Sequence, residues 1–508
     1  TKYYFDWMTM RDAGPAHSQT HGPDTHAVLQ RNRVFLYPSQ VVDRFGNWVR
    51  YEWEGRRLLR IHSSDGRQIS MQYDAADRIT SVTANGRQWT YAYDVAWQLQ
   101  SVTQPDGTAW RYQMMALHVN HKQRQNGFDP PEWYEVRMSL CARMGIIIEE
   151  ERVQTVTHPS GVVGTFRMMP FRHGRMGVRF DCQETGDNGT MERGYNQTPI
   201  YRDAYAVVSK TISGPGIQTA QWQYAYGNLA GRYNVNVAVA GWPPYPVGQA
   251  EPKITTETLP DGVVRVHEFG KEVGYNDGRL LKVTTRQGGA VVKTETTHYY
   301  PHAALASAPF PQLGGRSFLY GADELVAHGN QPIQKTVVVQ DGVTFTSETT
   351  AFDAQVRPLS VTESNSAGMS RIMGTTYMDR RDLWLMGQVA SQSRGATETS
   401  RTEFDPVTGQ PIKQFAFGRL SQQVGYASDG TPSTLADALG NPTHFSAWKR
   451  GIPQQMRFPA TPDAPAGATR AVAVDDNGWI TGLTDETGAT STFEYDTMGR
   501  LRARRYPT

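Results

Sequence analysis

Large and small side chains alternate with a period of two along residues 46–114. The stretches WVRYEWE (48–54), QISMQYD (68–74), QWTYAYD (88–94) and AWRYQM (109–114) each place bulky residues at every second position. Period two sends successive side chains to opposite faces of a strand, so each stretch is expected to bury one face. In the third stretch that face carries Trp89, Tyr91 and Tyr93; in the fourth it carries Trp110, Tyr112 and Met114. Trp53 and Tyr73 hold the matching places in the first two. Returning strands carry Ile79 and Val82, then Leu99 and Val102. Between the strands Gly46, Gly66, Gly86 and Gly107 recur at steps of 20, 20 and 21, and Asp65-Gly66, Asn85-Gly86 and Asp106-Gly107 supply the backbone angles of tight hairpin turns.

A phrase repeats on the same beat. Tyr73-Asp74 opens YDAADRITSVT, and Tyr93-Asp94 opens YDVAWQLQSVT 20 residues later. Near the far end VDDNGWITGLT places Asp475 and Gly478, and YDTMGRL places Tyr495, Asp496, Gly499, Arg500 and Leu501. Degraded copies lie at Asp277-Gly278-Arg279-Leu280, Phe352-Asp353, Phe404-Asp405 and Asp437 to Phe445. A fixed period of this size means stacked units that each need a neighbour to bury an apolar face. The recurring Asp ends a strand and bonds its own backbone in a turn. A residue present in every unit reads as structural, since catalysis seldom needs one per unit.

The expected fold is all-β, a long antiparallel β-sheet of repeated hairpins. Fully buried aromatics would contribute roughly 1.5–3 kcal/mol each. Two 20-residue hairpins would also make one propeller blade, but about twelve blades exceed the usual 4–8. The repeats run from about residue 43 to 508 with interruptions. Four segments follow: a polar one at 1–42, regular repeats at 43–114, an irregular insertion or degenerate repeats at 115–204, and degenerate then regular repeats at 205–508. Within the third, EWYEVRMSLCARMG (132–145) has the spacing of a short helix.

Composition narrows the function classes. The 508 residues carry a net charge of +2, with no basic stripe to suit nucleic acid. No apolar run approaches the ~18 residues of a membrane helix. Cys141 and Cys182 could pair, but two buried thiols are the better reading. The chain opens on Thr1 without a signal-peptide pattern and stops inside a repeat, so both ends read as cut from a longer chain. Little candidate chemistry stands out. His17, His21 and His26 lie in a Gly/Pro-rich stretch without a cysteine partner, which argues against zinc. His158, His173 and Asp181 lack a hydrolase motif around them. Ser160 reads as a turn residue, Arg172 to Arg175 as an exposed loop turn, and Glu149, Glu150 and Glu151 as a solvated edge. No catalytic, metal or cofactor-binding residue is expected.

The phrases YDxxGRL and xxDGxxxxYxYD, at 51–112 and 474–505, resemble the rearrangement-hot-spot (RHS) or YD-repeat family of bacterial proteins. HPSGVVGTFRM (158–168), ISGPG (212–216) and DLWLMGQV (382–389) are similar to its weaker copies. The resemblance implies that the sheet winds as a spiral into a hollow shell. Such shells enclose a C-terminal polypeptide, often a toxin, and relatives in animals, the teneurins, use one in adhesion. The implied partners are a toxin cargo, the rest of a longer chain and secretion-system spike proteins. The implied location is secreted or cell-surface, after export from a bacterium. Family members often end in an Asp-Pro self-cleavage core. Asp129-Pro130 and Asp405-Pro406 lack its context, so Asp405 reads as a repeat aspartate and the protease and toxin as missing. The alternative is an adhesin or carbohydrate-binding module whose exposed Tyr and Trp stack on sugars.

Overall fold

The computed structural model describes residues 1–12, 16–19, 26–30, 32–124, 133–135, 146–179, 200–234, 248–273, 275–301, 309 and 331–507. Cys141, Cys182, His21, Asp129, Asp181 and most of 302–330 lie outside them, and of the side chains of His17 and His26 nothing is described. Among the described residues the chain is β throughout, with one 3-10 turn at Arg381–Leu383. Strands adjacent in sequence are adjacent in a long antiparallel sheet of hairpins, the expected fold class. A parallel pair, Met176–Arg179 with Arg232–Asn234, stands apart. Where a short helix was expected within 132–145, Trp133–Glu135 is a strand paired with His121–Arg124. A partner strand satisfies that backbone, which overrides a helical spacing of apolar residues.

The chain divides into two compact units. The first comprises 1–110, 377–392 and 398–508. Here Trp48–Glu54, Arg57–Ser63, Gln68–Tyr73, Ile79–Ala84, Arg87–Tyr93 and Leu99–Thr103 pair in succession. The ladder from Thr397–Phe404 to Leu501–Arg505 does the same. The second unit comprises 111–376 and 393–397, with longer strands such as Val163–Gly174 and Tyr201–Gly214. The segment 115–204 thus contributes Arg152–Thr157 and Val163–Gly174 to a ladder.

The period-two pattern is visible in exposure. Along Arg87–Tyr93 half-buried and exposed residues alternate strictly, with Trp89, Tyr91 and Tyr93 on the covered side. Trp110, Tyr112 and Met114 are likewise half-buried. Full burial is scarce. The buried apolar residues among those described are Val119, Val178, Ile200, Phe352, Val472 and Val474. The sheet face therefore gains less per aromatic than complete burial would give.

Hydrogen bonding supplies what the thin core does not. The hydroxyl of Tyr73 donates to the carbonyl of Leu58 (2.9 Å), Tyr93 to Ile79 (2.9 Å), Tyr426 to Pro411 (2.8 Å) and Tyr495 to Ile480 (2.8 Å). In the second unit Tyr226 donates to Val207 (2.8 Å) and Tyr299 to Leu280 (3.1 Å). The indole N–H of Trp448 substitutes for the hydroxyl, donating to Pro432 (3.0 Å). Each receiving carbonyl sits at a β-bulge, where its strand spends an extra residue against the preceding one. A bulge disrupts the ladder locally, and the next strand's tyrosine meets the carbonyl there. Tyr93→Phe keeps the ring and removes the donor. It is expected to lower stability by about 1 kcal/mol in urea unfolding, with unchanged far-UV circular dichroism.

Candidate functional site

The repeat phrase is a turn held by its own aspartate. Asp74 Oδ1 accepts from the backbone N–H groups of Ala76 (2.8 Å) and Arg78 (2.9 Å). Asp94 does so from Ala96 (2.9 Å) and Gln98 (2.8 Å), Asp475 from Asn477 (2.9 Å) and Trp479 (2.8 Å), and Asp496 from Met498 (2.9 Å) and Arg500 (3.0 Å). The Arg of the phrase closes the loop: Arg78 Nε donates to Asp74 Oδ2 (2.7 Å) and Arg500 Nε to Asp496 Oδ2 (2.6 Å). Hydrogen bonds from the Arg78 and Arg500 backbones hold these two carboxyls below the usual Asp range, with the same guanidinium groups assisting. The third position after the Asp needs positive φ: Gly499 has +83° and Gly478 +84°. Gly66, Gly86 and Gly107 also sit at positive φ in their turns. Asp77, Trp97 and Val356 occupy the same kind of position at +62°, +67° and +67°. Asp77 is fixed there by ion pairs to Arg56 and Arg57.

The remaining repeat residues line the ladders. Trp53 donates its indole N–H to the Pro38 carbonyl (2.8 Å) and stacks on Tyr37 at 4.5 Å. Arg87 lies over Trp89 at 5.4 Å. Tyr112 pairs with Val156, and Leu501 is exposed. The carboxylate of Asp405 accepts from the N–H groups of Val407 (2.9 Å) and Thr408 (2.7 Å) and from the Thr408 hydroxyl (3.0 Å), a repeat aspartate in its turn.

Within the first unit the turns of one ladder meet those of the other in a seam that sequence reasoning missed. Arg44 donates to the carbonyl of Thr408. Arg450 donates to the carbonyl of Asp65 (2.5 Å) and lies 3.3 Å from its carboxylate. Asn85 Nδ2 donates to the carbonyl of Asp476 (2.9 Å), and the Arg87 guanidinium lies over the Trp479 ring at 5.1 Å. Arg500 Nη2 donates to Asp106 Oδ2 (2.8 Å). Residues 44, 65, 85 and 106 come from every second turn of one ladder, and their partners 408, 450, 476 and 500 rise in the same order. The two ladders thus run side by side in one direction. At one end of the seam a cleft of about 640 Å³ is lined by Arg44, Phe45, Leu383, Asp405, Val424 and Tyr426.

The second unit holds a buried ionic cluster. Asp203 bonds both His121 (2.7 Å) and Arg172 (2.8 Å), and its side chain is 3% exposed. Burial alone would raise its carboxyl, but the Arg172 and His121 bonds outweigh this and leave it below the usual range. Arg175 pairs with Asp277 at 2.9 Å. Lys271, 2% exposed, donates to the carbonyls of Asn228 (2.9 Å) and Ala230 (3.2 Å) and to Asn228 Oδ1 (3.1 Å). Glu272, also 2% exposed, accepts the Gly248 N–H at 2.8 Å. Arg172 to Arg175 were expected in an exposed loop. They instead finish the strand Val163–Gly174 and enter this cluster, with Gly174 and Arg175 buried. Backbone closeness explains it, because Gly174 donates to Leu229 (2.7 Å) and Arg175 to Ile200 (2.8 Å).

These groups are spent on protein partners. His158 bonds the Ser160 hydroxyl in a turn (2.7 Å), while His173 packs by Phe171 and Tyr226 at the other end of the strand. Strand rise separates the two histidines by on the order of 30 Å. Burial, with Lys253 nearby, pushes the His173 imidazole down. Glu150 pairs with Arg152 and Glu151 with Arg167, so the acidic run is partly neutralised. Among the described residues no His, Cys, Asp and Glu cluster has the arrangement of a metal site. No described helix is long and apolar enough to cross a membrane.

Comparisons bear on the repeat directly. The RHS Repeat family matches residues 54–84, 73–109 and 474–508. No curated protein matches the chain. Among solved structures, the crystal structure of TcdB2-TccC3-Cdc42 is similar at 12% identity and a TM-score of 0.39, over 96% of this chain and 24% of that one. TcdB2-TccC3 is similar at 10% identity and 0.35, over 97% and 32%. The Photorhabdus luminescens Tc holotoxin pore with a mutated TccC3 is similar at 9% and 0.35, over 97% and 34%. The chain therefore spans a quarter to a third of the length of these solved chains. The matched residues are those whose turns, ties and alternation are described above, and over these stretches the chain carries RHS repeats.

Proposed function

We propose that the chain is a length of wall from a hollow RHS shell, a spiral of hairpins that encloses a polypeptide and shields it. The seam carries this reading. Two ladders that lie side by side in one direction are what a sheet produces when it winds past itself. Such a wall acts by confinement, without chemistry of its own. The enclosed polypeptide would be a toxin, and the protein would be exported from a bacterium and joined to further domains. The division at residues 42, 114 and 204 belongs to the same reading.

The test is protection of a passenger. A protease-sensitive, unfolded reporter is fused after Thr508 and digested with thermolysin at a temperature where the ladders remain folded. Its half-life is expected to exceed that of the free reporter by about tenfold or more, since cleavage must wait for an opening. Equal half-lives would remove the proposal.

A second reading has its own observation. Trp97 is 65% exposed and Trp384 83% exposed, both in turns at positive φ. Strain at an exposed aromatic is a feature that function can explain. Glycan binding that disappears in Trp97→Ala and Trp384→Ala would favour an adhesin.

A further inference from the structure

We infer that the seam of the first unit is a parting line, along which the two ladders separate as intact bodies when ionic strength rises. The inference rests on the shell reading for its purpose, the passage of an enclosed chain, but its physics stands separately. Within each ladder neighbouring strands exchange runs of backbone hydrogen bonds, as between Pro442–Lys449 and Ile452–Arg457. The contacts described across the seam are of another kind. They are side-chain contacts from turn to turn: Arg44 on Thr408, Arg450 on Asp65, Asn85 on Asp476, Arg87 on Trp479 and Arg500 on Asp106.

The chemistry of these contacts sets their response. Guanidinium groups supply the donor or cation in all but the Asn85 contact. The ion pairs across the seam are open to solvent on one partner each, Arg500 at 67% exposure against Asp106 at 13% and Asp65 at 38% against Arg450 at 9%. Ion pairs with one partner in solvent are screened by salt, whereas backbone ladders are not. Added salt therefore acts on the seam well before it acts on the hairpins. The contacts fall along one row of turns, so the loss of one shifts its load to neighbours in that row.

The test places spin labels on either side. Gln88 and Asp476 are both exposed, and each is replaced by Cys in a chain lacking Cys141 and Cys182. The Asp476 contact with Asn85 uses its main-chain carbonyl, which the substitution leaves in place. At low salt one short distance is expected. At about 1 M NaCl, where the screening length falls to ~3 Å, a second population is expected. It should be longer by roughly 10 Å, two strand spacings. Asp65→Asn with Arg500→Gln should give the same population at low salt, with strand circular dichroism unchanged. A single distance under all conditions overturns the inference, and so does loss of strand signal together with the lengthening. Thermolysin protection of the fused reporter, measured on the same samples, keeps the two ideas distinct. A seam that opens around a reporter never protected would sink the shell and leave the parting line standing.

Discussion

Asp203→Ala is expected to destabilise the second unit by about 3–5 kcal/mol, the cost of leaving a buried guanidinium without its counter-charge. The carboxylate is 3% exposed and holds Arg172 and His121 together. Arg172 is a quarter exposed. The same carboxyl sets an acid limit. Its folded pKa lies below the ordinary 3.8, so its stabilisation is complete above that value and fades as pH falls through the folded pKa. Urea unfolding of wild type and Asp203→Ala at pH 7 should show the full gap. The gap should narrow as pH is lowered below about 3.8. A gap below about 1 kcal/mol at pH 7 would mean that the cluster is solvated and does not hold the unit together.

Gly499→Ala is expected to cost about 2–6 kcal/mol, from two sources that add. Its φ of +83° is one that L side chains rarely adopt, which costs about 1–3 kcal/mol. A Cβ there would also lie 2.7 Å from the Trp479 ring, and crowding of that kind costs about 1–3 kcal/mol. Trp479 has little freedom to retreat, since it packs on Tyr495 at 5.3 Å and under Arg87. Gly66→Ala provides the comparison. Its φ is +82°, yet nothing lies within 4 Å of the added carbon, so only the backbone term of about 1–3 kcal/mol remains. Equal losses in the two variants would show that the indole moves aside freely.

The parts of the fold that depend on near neighbours were legible in the sequence. The Asp-Gly and Asn-Gly turns, the alternation at Trp89, Tyr91 and Tyr93, and the turn role of Asp74 and Asp496 all act within one hairpin. Two features were hidden for a physical reason. The tyrosine hydroxyls bond across strands at bulges, and a bulge leaves no mark in a period-two pattern beyond one extra residue. The seam joins residues separated by 364 to 394 positions, as in Arg44 with Thr408 and Arg500 with Asp106. Nothing in either turn names its partner. The cluster around Asp203 and Lys271 was also missed. Its charges belong to strands whose exposed faces normally carry such residues, and only the packing of Gly174 on Leu229 to Gly231 turns them inward. A glycine just before an arginine at a strand's end was the one available hint.

The tyrosine ties carry a consequence for how such proteins change in length. From donor to receiving carbonyl the interval is 14 residues for Tyr93, 15 for Tyr73, Tyr426 and Tyr495, 16 for the indole of Trp448, and 19 for Tyr226 and Tyr299. The difference is 19 − 15 = 4, which divides as two residues in each arm of a hairpin. An even increment in each arm leaves inward and outward positions in phase. Genetic insertions that respect this parity can make taller hairpins and still find the same hydroxyl waiting for the same carbonyl. An odd insertion within an arm would turn the aromatic side outward, whereas a shorter turn, such as Asn85-Gly86 before Tyr93, changes the interval by one and leaves the sides in place.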